Sequence, residues 1–124
     1  MSRTDILVVD DDADIREALS RALQLEGYRV AVAQHGRAAW ELLHAEPPPA
    51  LVLLDLMMPV MNGAELLSLL RADAKLRELP VVLVTAFGAS ASGYAHQSQG
   101  LLSKPIDLDQ LMQLVSRYCS SRTV

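Results

Sequence analysis

Short aliphatic runs recur along this chain: Ile6–Val9, Leu51–Leu54, Val81–Val84 and Leu101–Leu102, with helix-period stretches between them. A strand with one wet face alternates apolar and polar residues, whereas these runs are apolar at nearly every position. Such strands belong to a parallel sheet buried on both faces by helices.

The intervening segments agree. Asp12 or Asp14 opens a first helix that carries Ile15, Leu19, Ala22 and Leu23 at 3–4 spacing and stops at Glu26-Gly27-Tyr28. Arg29–Ala33 reads as a further strand. Ala38–Ala45 forms a second helix, with Trp40, Leu42 and Leu43 inward, halted by Pro47-Pro48-Pro49. Asn62 caps a third helix with Leu66, Leu67, Leu69 and Leu70, and Pro80 introduces the strand at Val81. Ala89–Gln99 is weakly helical, while Leu108, Leu111, Val115 and Tyr118 stripe a last helix. Alternating strands and helices in 124 residues imply right-handed crossovers and one α/β domain, residues 1–124. The expected architecture is a three-layer, doubly wound sandwich on a five-stranded parallel sheet in the flavodoxin-like order 2-1-3-4-5.

In such sheets ligands bind outside the carboxyl ends of the strands. Those ends carry Asp10 and Asp11, Asp55, Thr85 and Lys104. The strand order makes neighbours of Asp10, Asp11 and Asp55, and three acids, a hydroxyl and an ammonium on one rim suit a phosphoryl group and a hard divalent cation. Acids at a helix N-terminus also interact well with the helix dipole, which accounts for Asp12 and Asp14. Two acids at a strand end beside a third remain costly without a cation.

Charge and composition remove other classes. A net charge of −4 argues against a nucleic-acid surface, and the lone Cys119 can form no internal disulfide, which suits a reducing cytoplasm. There is no apolar run of about 18 residues, so no membrane span is expected. His35, His44 and His96 lack metal-ligand spacing and read as surface residues; Met57, Met58 and Met61 read as packing residues.

Taken together, Leu7-Val-Val-Asp10-Asp11-Asp12, Leu53-Leu-Asp55-Leu-Met-Met-Pro59-Val-Met-Asn62-Gly63, Val84-Thr85-Ala86 and Lys104-Pro105 resemble the receiver domain of two-component response regulators, in order and across almost the whole chain. The resemblance implies a CheY-like switch. Asp55 would accept a phosphoryl group from a sensor histidine kinase or phosphotransfer protein. Asp11 and Asp55 would bind Mg²⁺ directly with the Met57 carbonyl, Asp10 would act largely through water, and Thr85 and Lys104 would engage phosphoryl oxygens. It also implies a cis Lys104-Pro105 bond, and it makes Met57 and Phe87 the flanks of the path of attacking water, so that self-dephosphorylation should be slow. Expected partners are that kinase and a downstream protein target, with no nucleic acid or membrane, for a cytoplasmic monomer or weak dimer.

Two departures stand out. Leu101 occupies the position of the family's usual Tyr or Phe, and the Gly100–Lys104 connection reads as about three residues shorter than the usual pattern, which would pull the preceding helix toward the sheet. Residues 79–103 also hold no Asp, Glu, Lys or Arg, so the charged symmetric dimer of transcription-factor receivers is not expected. Rival readings are a Mg²⁺-dependent phosphohydrolase, disfavoured because position 57 is Met where its Asp-x-Asp signature needs an acid, and a receiver-like module that binds partners without phosphorylation, disfavoured by the intact acids, Thr85 and Lys104. A nucleotide-binding Gly-x-x-x-x-Gly-Lys-[Ser/Thr] loop is absent. With no DNA-binding segment after Val124, the expectation is a single-domain regulator or one separated from its output domain.

Overall fold

A computed structural model describes residues 4–45, 48–56, 63–85 and 98–119. The elements in order are β1 (Ile6–Val9), α1 (Ala13–Leu25), β2 (Val30–Ala33), α2 (Gly36–Ala45), β3 (Leu51–Asp55), α3 (Gly63–Ala72), β4 (Val81–Thr85), β5 (Gly100–Ser103) and α4 (Leu108–Tyr118). All strand pairs are parallel and the sheet order is β2-β1-β3-β4-β5, as the apolar runs predicted.

Alternation along each strand builds two separate apolar layers. Leu7, Val9, Val52, Leu54, Val81 and Leu83 point to one side, where Leu43 of α2 and Leu66, Leu67 and Leu70 of α3 cover them. Ile6, Val8, Leu51, Leu53, Val82, Val84 and Leu102 point to the other, against Leu19 and Leu23 of α1 and Leu111 and Val115 of α4. Each fully buried Leu or Val is worth about 1.5–3 kcal/mol relative to exposure, so the layers hold the strand ends rigidly enough to carry a site.

The helix ends explain where these layers stop. Asp12 caps α1 by accepting the Asp14 and Ile15 N–H groups, and Asp107 caps α4 through Asp109 and Gln110. At the far end of α1 the Gly27 N–H bonds the Gln24 carbonyl and the Tyr28 N–H bonds the Leu23 carbonyl. This is a Schellman closure, and Gly27 supplies its left-handed residue at φ 93°.

Several details differ from the sequence reading. α2 begins two residues earlier than Ala38, because His35 Nδ1 accepts the Ala38 N–H at 3.1 Å and serves as the cap. Leu108 is half exposed at the start of α4 instead of lying in its buried stripe. Gly100 is the first residue of β5 and pairs with Val82, so Gly100–Ser103 is strand and not a shortened loop. The glycine is not required by space, since a Cβ there would meet Leu114 at an ordinary 3.5 Å. The Asn62 cap and the body of the 89–99 segment lie outside the described residues, as do Met57, Met58, Met61, Phe87 and His96.

Candidate phosphoacceptor and cation site

Strand register sets the site. Val9 pairs with Leu54, so Asp10 and Asp55 emerge side by side from β1 and β3. Asp55 pairs with Val84, which puts Thr85 one step further along β4, and Thr85 pairs with Ser103, which puts Lys104 a further step beyond. The lysine side chain reaches back over the strand ends. Its Nζ lies 3.0 Å from Asp10 Oδ2 and 3.3 Å from Asp55 Oδ2.

Both of those carboxylates are buried, as is Thr85, whereas Asp11 is exposed. Carboxylate oxygens of Asp10, Asp11 and Asp55 all lie within 4.8 Å of one another. Asp10 is engaged at both oxygens, since Oδ1 accepts the Asp12 N–H at 2.9 Å while Oδ2 faces Lys104. Burial works to lower the Lys104 pKa, but the hydrogen bond and charge of Asp10, joined by those of Asp55, outweigh it and leave the ammonium held above the ordinary lysine range. The Lys104-Pro105 peptide is cis, and the Lys104 N–H bonds the Thr85 carbonyl at 3.0 Å.

The donor set fits a hard cation. Three carboxylates so close repel one another, and Lys104 supplies only one positive charge against them. A small divalent ion that takes oxygen ligands and keeps several waters needs few protein donors, and these acids, one of them open to solvent, could hold one. Met57, expected to contribute its carbonyl, lies outside the described residues.

Sequence reasoning brought Asp10, Asp11, Asp55, Thr85 and Lys104 to one rim, and the geometry agrees. It missed two supporting residues. Arg16 Nη1 donates to the Asp10 carbonyl at 2.8 Å. Gly63 at the start of α3 packs on the backbone at the end of β3: a Cβ there would press on the Asp55 carbonyl oxygen and lie 2.7 Å from Leu56 Cα. The sequence did mark Gly63 as the last residue of the matched Leu53–Gly63 motif, but without a role for it. His44 also does more than sit at the surface, for it packs against the Trp40 ring with centroids 4.2 Å apart and contacts Asp73 at 3.2 Å.

Comparison with known proteins places this rim in a family. The chain matches the response regulator receiver domain over residues 6–116. It is 39% identical over 114 residues to the response regulator Rre1 of Synechocystis, covering 89% of this chain and 49% of that protein. It is 37% identical over 87 residues to the chemotaxis protein CheY1 of Helicobacter pylori, covering 69% and 70%. Among solved structures, a response regulator receiver protein from Pseudomonas putida superposes with a TM-score of 0.85 at 31% identity, covering 94% of this chain and 98% of that one. The chain belongs to the response regulator receiver domain family, which ties it to phosphorylation-dependent signalling in two-component systems. Receiver domains are regulatory switches and not enzymes in the ordinary sense. The chain spans about half the length of Rre1. Among the described residues no helix is long and apolar enough to cross a membrane.

Proposed function

We propose that residues 1–124 act as one phosphorylation-controlled switch in which Asp55 takes a phosphoryl group from the phosphohistidine of a sensor kinase or phosphotransfer protein. A carboxylate oxygen of Asp55 attacks phosphorus as the P–N bond of the donor breaks. An acyl phosphate forms on Asp55, and the donor imidazole takes up a proton. The observation that carries this reading is the Lys104 ammonium spanning Asp10 and Asp55 above a buried strand-end hydroxyl, Thr85.

Phosphoryl transfer through a loose, in-line transition state asks for positioning and charge neutralisation. Asp11 and Asp55 would hold Mg²⁺ with Asp10 supporting through water, and the ion would neutralise charge on the incoming anion. Lys104, a compact point charge on a long stem, would exchange a carboxylate for a phosphoryl oxygen. Thr85 would donate its hydroxyl to another. Shifting those two groups would alter the surface around β4 and β5 and thereby the binding of a downstream protein, in a cytoplasmic setting. Leu101, 38% exposed on β5 at the position where the receiver resemblance implies Tyr or Phe, offers neither a ring nor a polar tip to follow Thr85 inward.

The test is intact-mass measurement after incubation with Mg²⁺ and acetyl phosphate. Wild type should gain one phosphoryl group and Asp55→Asn none. Equal labelling of the two proteins, or no labelling of wild type with Mg²⁺ bound, would exclude the reading.

A further inference from the structure

Asp11 poses a problem. It is exposed, it lies beside two buried acids of the same charge, and repulsion should swing it out into water, yet its carboxylate stays within 4.8 Å of theirs. The restraint comes from the backbone on either side. The Asp10 N–H is held by the Ala33 carbonyl of β2 at 3.1 Å. The next peptide plane, joining Asp10 to Asp11, presents its carbonyl to Arg16 Nη1 at 2.8 Å. The one after it, joining Asp11 to Asp12, is fixed by its N–H bonding Asp10 Oδ1 at 2.9 Å. Asp11 therefore sits between two pinned peptides, and Arg16 pins the first.

The position of Arg16 needs such an explanation. It stands in the first turn of α1, where the helix dipole disfavours a cation. An arginine there as an ordinary solvated side chain would extend into water; this one is partly buried and folded back across six residues to a single carbonyl.

We infer that Arg16 is a positioning residue for the divalent-cation site, locking the Asp10–Asp11 peptide so that the Asp11 carboxylate is already aimed at the ion. The inference rests on the Mg²⁺ reading above. It makes an unusual demand on sign. Arg16 is a positive charge close to the acid cluster, so if it acted by charge alone its removal would tighten cation binding. Acting through orientation, its removal must weaken binding.

Calorimetric titration with Mg²⁺ alone, in phosphate-free buffer, separates the two. Arg16→Met, which keeps the stem and loses the donor, should bind Mg²⁺ roughly tenfold more weakly, the lower end of what losing an outer partner costs a metal site. Arg16→Lys, which keeps charge and a donor on a less rigid stem, should fall between. Should Arg16→Met fold poorly, as thermal melting in chelator would reveal, Arg16→Gln replaces it with the same expectation. Unchanged or tighter Mg²⁺ binding by a folded Arg16→Met or Arg16→Gln, with wild type binding normally, overturns this inference and leaves the phosphoacceptor reading standing. Failure of wild type itself to bind Mg²⁺ overturns both.

Discussion

Replacing Lys104 by Met, which preserves the stem and removes the charge, should cost more than an ordinary surface ion pair. The ammonium lies 3.0 and 3.3 Å from two carboxylates that are almost wholly buried. At an effective dielectric of about 20 each contact is worth roughly 5 kcal/mol before desolvation is counted. Breaking a buried pair by removing one partner typically costs about 3–5 kcal/mol, because the abandoned charge stays behind. The Lys104 side chain is 20% exposed, so water can partly take over. We expect a loss of about 2–3 kcal/mol in chelator, at or just below the floor of that range because of the partial exposure. A divalent cation should then do what the lysine did: saturating Mg²⁺ should stabilise Lys104→Met more than wild type, by mass action on a site freed of its competing charge. Urea unfolding followed by circular dichroism, with chelator and with Mg²⁺, gives both numbers. A loss below about 0.5 kcal/mol, the level of a surface substitution, or a gap that widens with Mg²⁺, would refute the argument.

Gly63→Ala should destabilise by about 3 kcal/mol, because the added Cβ meets the backbone of Asp55 and Leu56, which has no flexible end to yield, and melting in chelator will report it. His44 is held above its ordinary pKa by the Trp40 carbonyl first and by Asp73 next; its contribution to stability is present below the unfolded histidine value and lost as pH rises through the raised one. Asp73 is held below its ordinary value, chiefly by the Lys75 N–H against opposing burial, so its own contribution fades only as pH falls through that lowered value. Stability should therefore decline across the neutral-to-alkaline step in wild type and less so in His44→Gln, as melting at a series of pH values will read. Cys119, whose thiol burial and then Asp5 push up to about 11, should resist iodoacetamide at neutral pH until the chain is unfolded, which alkylation followed by mass measurement will check.

What the sequence revealed and what it hid follow one physical line. Strands buried on both faces cannot disguise themselves, so Ile6–Val9, Leu51–Leu54 and Val81–Val84 gave their positions away, and with them the acids, the hydroxyl and the lysine at their ends. The Asp12 cap was equally local, whereas the Asp107 cap of α4 was found only in the structure. Arg16, by contrast, works through a hydrogen bond to a backbone carbonyl, which no residue pattern marks. Gly63 matters because two backbones approach closely, a fact of tertiary packing. Gly100 misled because a glycine beside a weak helical stretch looks the same whether it ends a loop or starts an edge strand. His35 escaped because histidine is an uncommon cap.

The stepped register of the strand ends has a consequence for how such a chain tolerates insertion and deletion. Asp10, Asp55, Thr85 and Lys104 are aligned by ladder pairing alone, Val9 on Leu54, Asp55 on Val84 and Thr85 on Ser103. Connections at the opposite end of the sheet, such as the Gly27 turn or the residues before Pro80, enter nowhere into that alignment. Residues gained or lost there are absorbed before the ladder begins, at a loop-closure cost that grows only slowly with length. A single residue gained or lost within β3 or β4 is different in kind. It turns every later side chain of that strand to the opposite layer, carrying Asp55 or Thr85 away from the rim. The alignment of the rim is thus buffered against change in the connections at the far end of the sheet and has no tolerance within the five residues of β3 or of β4.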